Sequence, residues 1–368
     1  MRKLEIDQAY LRFIMTRLIE TPSPTGMTQA VTDLVRAELD AMRIPYELTR
    51  RGALRANLEG ARHSPDRAIV VHLDTLGAMV KELKPNGRLR VVPIGHWSAR
   101  FAEGARVTLF REDRPLLRGT MLPLKASGHV YNEEIDSQPV EWDNIEVRLD
   151  ERIHNQHDLI AAGIHVGDHI AIDPNLEFTP AGFVNSRHLD DKAGVAALLA
   201  MARAIRKHNV QLPIDCHLLF TISEEVGVGA SHILHGDVSE LVSIDNGTIA
   251  PGQNTNEYGA TVVMQDMSGP FDWDLSRRLL RLCVEFGISH SRDVFRYYRS
   301  DGAAALEAGN DIRTGLVCFA LDSSHGYERS HLDSILAVAE LVSLYIQSSP
   351  IVLPNLRAIA SGQAFQGA

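Results

Sequence analysis

His72, Asp74, Asp190, Asp191, Glu224, Glu225, Asp245 and His325 are the side chains here whose types and settings could do chemistry. His72 and Asp74 close the apolar run AIVVHLD and stand two apart, so both face one side of a strand. A carboxylate there could accept the proton of the imidazole nitrogen that carries no ligand, fixing the tautomer. Asp190 and Asp191 are adjacent in HLDDKAG. Neighbouring carboxylates repel unless positive charge is near; one could bridge two cations while the other complements a helix start. Glu224 and Glu225 follow LLFTI and precede VGVG. Acidic groups at the end of a buried strand are costly without compensation. Being neighbours, they point different ways, so one could ligate a metal and the other take a proton from water. Asp245 in VSIDNG and His325 in ALDSSHGYE complete the set.

Each residue also has an ordinary structural reading: a strand-end pair, a helix cap, an exposed loop pair, an Asp-Asn-Gly turn, a surface histidine. The conjunction favours metal chemistry. Two divalent ions carry four positive charges, and Asp190, Glu225, Asp245 and one hydroxide carry four negative ones. The neutral sum suits a partly dry pocket. Oxygen and imidazole donors without thiolate suit zinc, with cobalt or manganese as alternatives.

These residues are far apart in the chain, so the elements must bring them together. Residues 7–20 carry apolar side chains at helical spacing, and TPSPTG ends that helix. Thr28 is placed to cap a second helix reaching about Met42. YELTR, LRANLEG and AIVVHLD are expected strands, the last buried on both faces. From residue 78 to 180 the texture changes to short β-like runs between Gly, Pro and Asp: RLRVVPI, ARVTLF, LLRGTML, SGHVYN, NIEVRL and DHIAID. That spacing predicts a small all-β barrel or sandwich. The α/β texture resumes near Phe183. An amphipathic helix is expected at 191–206, strands at DCHLLFTIS, ELVSID and TGLVCFAL, helices at 273–287 and LDSILAVAELVSLYI, and a loosely ordered tail beyond Pro354. The fold class is therefore α/β, a mostly parallel sheet flanked by helices. Residues 1–77 and 181–368 form the chemistry-bearing domain, and 78–180 form an inserted barrel. Four strands end in candidate ligands, which is where open α/β sheets bind theirs.

The 368 residues, 45% hydrophobic, are ample for a large core. A net charge of -10 with signs mixed along the chain speaks against nucleic acid. Cys216, Cys283 and Cys318 lie in or beside apolar stretches without short spacing, so neither a disulfide framework nor a thiolate metal site is expected. MRKLEIDQAYLRFIM is no signal peptide, and no apolar run approaches the roughly 20 residues that span a bilayer. A soluble, cytoplasmic protein is expected, with no membrane partner.

HLD, LDDKAG, SEEVGVGA, ID and a late His, with SPTG early and IGHW and EGARVTLF in the insertion, resemble the dimetal aminopeptidases of the tetrahedral, glutamyl and deblocking type. Within them the chain looks most like the subgroup associated with the osmoprotectant NAGGN (N-acetylglutaminylglutamine amide) system. The resemblance spans nearly the whole chain. It implies two divalent ions, with His72 and Asp245 binding one each, Asp190 bridging, and Glu225 and His325 completing the shells. It makes Glu224 the general base and Asp74 the partner of His72, and it often carries a cis peptide between the two aspartates. It also implies a homo-oligomer. The sequence departs from the family where Asp322-Ser323-Ser324 precede His325 in place of Arg-Tyr, and where Arg299-Ser300-Asp301 stand in place of Gly-Thr-Asp. The turn after Glu225 is shorter. Ser300 and Asp301 are thus candidate substrate contacts. His331 rivals His325, but His331-Leu332-Asp333 suits the start of the last helix.

The expected function is dinuclear-metal aminopeptidase, cleaving N-terminal residues from short peptides. The alternatives are an amidohydrolase acting on a blocked or amidated dipeptide-like osmolyte, and a non-catalytic metal-binding assembly protein.

Overall fold

Seven consecutive buried residues, Asp66–His72, form a strand that needs neighbours on both edges and cover on both faces. In the computed structural model, which describes residues 1–351, it has them. It pairs in parallel with Cys216–Thr221 on one side and Val238–Thr248 on the other. Val238–Thr248 pairs in parallel with Arg313–Leu321. Outside this parallel centre the pairing turns antiparallel, through Leu54–Leu58 and Tyr46–Leu48 at one edge and Ala260–Asp266 at the other. The result is a nine-stranded mixed sheet.

Alternation along the strands divides the core. Ile69, Val71, Leu218, Phe220, Val242 and Ile244 face the larger cluster, with the helices Gln8–Glu20, Leu189–Lys207, Trp273–Phe286 and Leu332–Gln347. Ala68, Val70, Leu219 and Leu241 face a smaller one with Ala230 and Ala305. Beneath this layer Arg67 is fully buried. Its guanidinium pairs with Glu240 at 3.1 Å, donates to the Tyr345 carbonyl at 2.6 Å and lies over the Tyr345 ring.

The insertion closes into a six-stranded barrel: Gly77–Leu83, Leu89–Ile94, Ile145–Leu149, Leu117–Pro123, Arg106–Leu109 and His169–Ile172, returning to the first. Closure removes the exposed edges that short strands would otherwise present. Trp97 anchors the loop after the second barrel strand. It donates to the Gly77 carbonyl at 3.0 Å and packs edge-on to Trp142.

Several expectations change. SGHVYN is not β: Gly128–Tyr131 is a one-turn helix with no buried residue, so its alternation faced no core. The Leu189–Lys207 helix is not amphipathic, because neighbours on every side bury it almost throughout. ELVSID does not stop at Asp245. Its strand runs to Thr248 because Gly247 lets the backbone pass Cys318, whose Cβ would meet a Cβ there at 2.8 Å. Thr28 precedes Gln29–Met42, but its side chain makes no capping hydrogen bond. The edge strands Ala260–Asp266 and His290–Val294 were not expected at all. The tail beyond Pro354 lies outside the described residues. Among the described residues no helix is long and apolar enough to cross a membrane.

Candidate active site

The C-terminal ends of the parallel strands present His72, Glu224, Glu225 and Asp245 on one rim. His72 closes its strand and is level with Thr221. Glu224–Val226 is a tight turn just beyond Thr221. Asp245 lies two residues past Ser243, which pairs with Val70, so it comes level with His72. Asp190 comes from the start of Leu189–Lys207, where Asp190 and Asp191 keep non-helical backbone angles and their peptide is cis. His325 comes from the loop after Arg313–Leu321, with φ at +65°.

Ligand-capable atoms of His72, Asp190 and Asp245 lie within 4.8 Å of one another, as do those of Asp190, Glu225 and His325. Asp190 belongs to both groups. His72 Nε2 is 3.1 Å from one Asp190 oxygen; His325 Nε2 is 3.4 Å from the other and 3.6 Å from Glu225. His331 is not part of this centre. It caps the last helix, accepting from the Asp333 N–H at 3.1 Å, while Nε2 donates to the Ala181 carbonyl.

Both imidazoles have their tautomer fixed by a main-chain carbonyl, which can only accept. His72 Nδ1 donates to the Asp74 carbonyl at 2.9 Å, and His325 Nδ1 donates to the His96 carbonyl at 2.8 Å. Each Nε2 lone pair therefore points at carboxylate oxygens. Acceptor facing acceptor at this range requires a second proton on the ring or a cation between them. The donor set fits a cation pair on this ground.

Charge gives the same answer. Burial opposes ionisation of Asp190, but hydrogen bonds from His325 and His72 outweigh it and hold the carboxyl well below its ordinary range. Burial, with Asp190 adding to it, pushes Glu225 up to about 8 and Asp245 up to about 7. Burial raises Glu224 and Glu328 as well. Burial would lower the imidazoles, yet their carboxylate neighbours carry His72 well up and His325 up to about 11. Carboxylates outnumber imidazoles, and the centre lacks positive charge.

The surrounding contacts hold this rim rigid. The Asp74 carboxylate does not take the His72 proton, as the sequence suggested; it stands 3.7 Å from Nδ1, and the Asp74 main chain does that work. Strand alternation placed the side chain correctly, but the nearby amides claim it. It accepts from the Thr25 hydroxyl at 2.7 Å and from the N–H groups of Glu224 and Glu225 at 3.1 and 3.3 Å. Asp191 accepts from the His72 N–H at 3.2 Å. Gly194 leaves room for it, since a Cβ there would sit 2.0 Å from its carboxylate. Asp301 is turned inward, accepting from Thr221 Oγ1 and the Ala230 N–H, each at 2.7 Å. The Ser300 hydroxyl is buried without a hydrogen-bond partner. Both residues line the cavity below.

Four participants were missed in the sequence. Asn246 donates to Asp190 at 2.8 Å and to Asp245 at 3.2 Å; standing next to Asp245, it could have been suspected. Glu328 accepts from the N–H groups of Leu189, Asp190 and His325, joining segments well over a hundred residues apart. No local signal announces it. The tyrosines Tyr297 and Tyr298 line a cavity of about 540 Å³ that opens onto Glu224, Glu225, Asp245 and His325.

The chain is similar to known proteins over most of its length. The family profile for M42 glutamyl aminopeptidase matches residues 52–341. A Bacillus subtilis (strain 168) protein named for aminopeptidase activity, YhfE, is 36% identical over 335 residues, covering 91% of this chain and 96% of its own. Among solved structures, the TET aminopeptidase of a marine-sediment Thaumarchaeota archaeon superposes with a TM-score of 0.84 at 17% identity, over 93% of this chain and 98% of that one. The TET1 peptidase of Pyrococcus horikoshii does so at 0.80 and 18% identity, over 92% and 100%. At such identities the superpositions establish the fold.

Proposed function

Because the chain belongs to the M42 glutamyl aminopeptidase family, it is a metal-dependent aminopeptidase, and we propose that it removes the N-terminal residues of short peptides at a pair of divalent cations held by His72, Asp190, Glu225, Asp245 and His325. The observation that carries this reading is the sharing of Asp190 between two donor groups on the rim of one cavity. Zinc suits the donors best, and cobalt or manganese would serve.

When bound, such a pair supplies the positive field that acidifies a water and polarises a carbonyl. The chain's own residues do the rest. Glu224 reaches toward the rim with one oxygen 3.9 Å from His72 Nε2, while Asp74 pins its backbone N–H. We assign it the proton transfer: its carboxylate takes the proton of the attacking water and delivers it to the leaving nitrogen. Burial raises its pKa above the ordinary carboxylate value. Asp74, Asn246 and Glu328 hold the ligands in place, so the site is organised before substrate arrives.

We also propose self-association, on the likeness to the Pyrococcus horikoshii protein described as assembling into a tetrahedron or an octahedral shell. We propose a cytoplasmic place of action as well; three free, buried cysteines are in keeping with a reducing compartment. The test is elemental analysis of the purified protein alongside a panel of amino-acid anilides and acylated dipeptide amides. Two metals per chain with hydrolysis of the unblocked substrates is the expected result. Hydrolysis of the acylated amides alone would replace this reading with an amidohydrolase acting on blocked compounds.

A further inference from the structure

Among the described residues lining the cavity there is one guanidinium and no ammonium. The guanidinium belongs to Arg299, and it is already engaged. Its two terminal nitrogens donate to the two Glu307 carboxylate oxygens at 2.7 and 2.8 Å. It faces Asp266 and Glu224 as well. Met267, Tyr297, Tyr298 and Ala304 make up much of the remaining wall, and Met267 and Tyr297 are 54% and 78% exposed to whatever enters.

We infer that this aminopeptidase takes peptides whose N-terminal side chain is uncharged and preferably apolar, and that the Arg299–Glu307 pair enforces this by withholding the cavity's one guanidinium from acidic side chains. The inference rests on the aminopeptidase reading and narrows it. A carboxylate entering the cavity sheds water and needs a cation in return. The cation present is held by a two-pronged, charge-assisted pair that the newcomer would have to break. A cationic side chain finds the cavity's carboxylates already committed: Asp301 accepts from Thr221 and the Ala230 N–H, Asp190, Glu225 and Asp245 are the proposed metal ligands, and Glu224 is the proposed proton carrier. An apolar side chain displaces water from aromatic and thioether surface that adapts to its shape. The family description names glutamate; this chain's wall is built for something else. Arg299 and Glu307 are 33% and 59% exposed, so the pair itself adds little to stability and its removal leaves the fold intact.

The experiment uses the full-length, metal-loaded enzyme and the p-nitroanilides of Leu, Met, Phe, Glu and Lys. It compares the parent chain with Glu307→Ala and with the double variant Arg299→Ala/Glu307→Ala. In the parent, kcat/KM for Leu or Met should exceed that for Glu and for Lys by at least about tenfold. Glu307→Ala frees the guanidinium and should raise the Glu-to-Leu ratio by about tenfold; the double variant should return it to the parent's level. A parent that prefers Glu or Lys overturns the inference and leaves the aminopeptidase reading standing. An unmoved ratio in Glu307→Ala, with unchanged size-exclusion elution, overturns the role of the pair. Failure of the loaded parent on every unblocked anilide brings down both.

Discussion

Glu224 and Glu225 are covalent neighbours with separate tasks, and substitution can separate them. Glu224→Gln keeps the shape but cannot shuttle a proton. Metal content should hold at the parent's value while kcat falls about a hundred- to ten-thousand-fold; full activity would remove Glu224 from the proposed role. The two late histidines separate in the same way. His325→Ala takes away one imidazole donor facing Asp190 and Glu225, so bound metal per chain should drop and activity should go with it. His331→Ala loses a helix cap, a cost of about 1 kcal/mol, with metal content unchanged. Elemental analysis of the two proteins distinguishes them, and metal loss in His331→Ala would reverse the assignment. The candidate ligands could be picked out because each follows an apolar run or stands at a helix start, where an acidic or imidazole group is costly to bury. Glu328 could not, because nothing near GYERS in the chain reveals that its carboxylate will meet the amides of Leu189 and Asp190.

Among the elements, the central strand Asp66–His72 has the least freedom. Arg67 lies wholly within the protein under that strand, tied to Glu240 and to the Tyr345 carbonyl of the last helix. Arg67→Met would leave the buried Glu240 side chain without its guanidinium partner. The loss should be about 3–5 kcal/mol in denaturant unfolding; a change within about 0.5 kcal/mol would mean that Glu240 finds another partner. The strands that read clearly were those buried on both faces, AIVVHLD and TGLVCFAL, whose apolar runs leave few alternatives. Ala260–Asp266 escaped although most of it is buried, because the apolar run in ATVVMQD is short and is interrupted by Thr261, Gln265 and Asp266. SGHVYN misled for the opposite reason: it alternates in sequence but has no core to face.

In the whole molecule, the inserted barrel and the sheet meet at the centre, because the His96 carbonyl that orients His325 sits in a barrel loop anchored by Trp97. Trp97→Ala should therefore do more than open a void worth about 3–5 kcal/mol in the barrel. It should also lower kcat at temperatures where circular dichroism still reports a folded protein, since His325 loses its fixed orientation. Parent-like kcat in a folded Trp97→Ala protein would show that the barrel does not steer the imidazole. The presence of a barrel was readable from the change of texture, but this link to the chemistry was not. It runs through a backbone oxygen, and backbone oxygens are the same in every residue. The two halves that share the Asp190 carboxylate are unequally covered. Each half of the centre offers one ring nitrogen, one oxygen donor of its own and a share of the same aspartate, but the His72 side chain is 2% exposed and that of His325 34%. The outer half should therefore release its guest first. Stepwise dialysis of the loaded protein against a chelator should leave molecules that keep one cation on the His72 side.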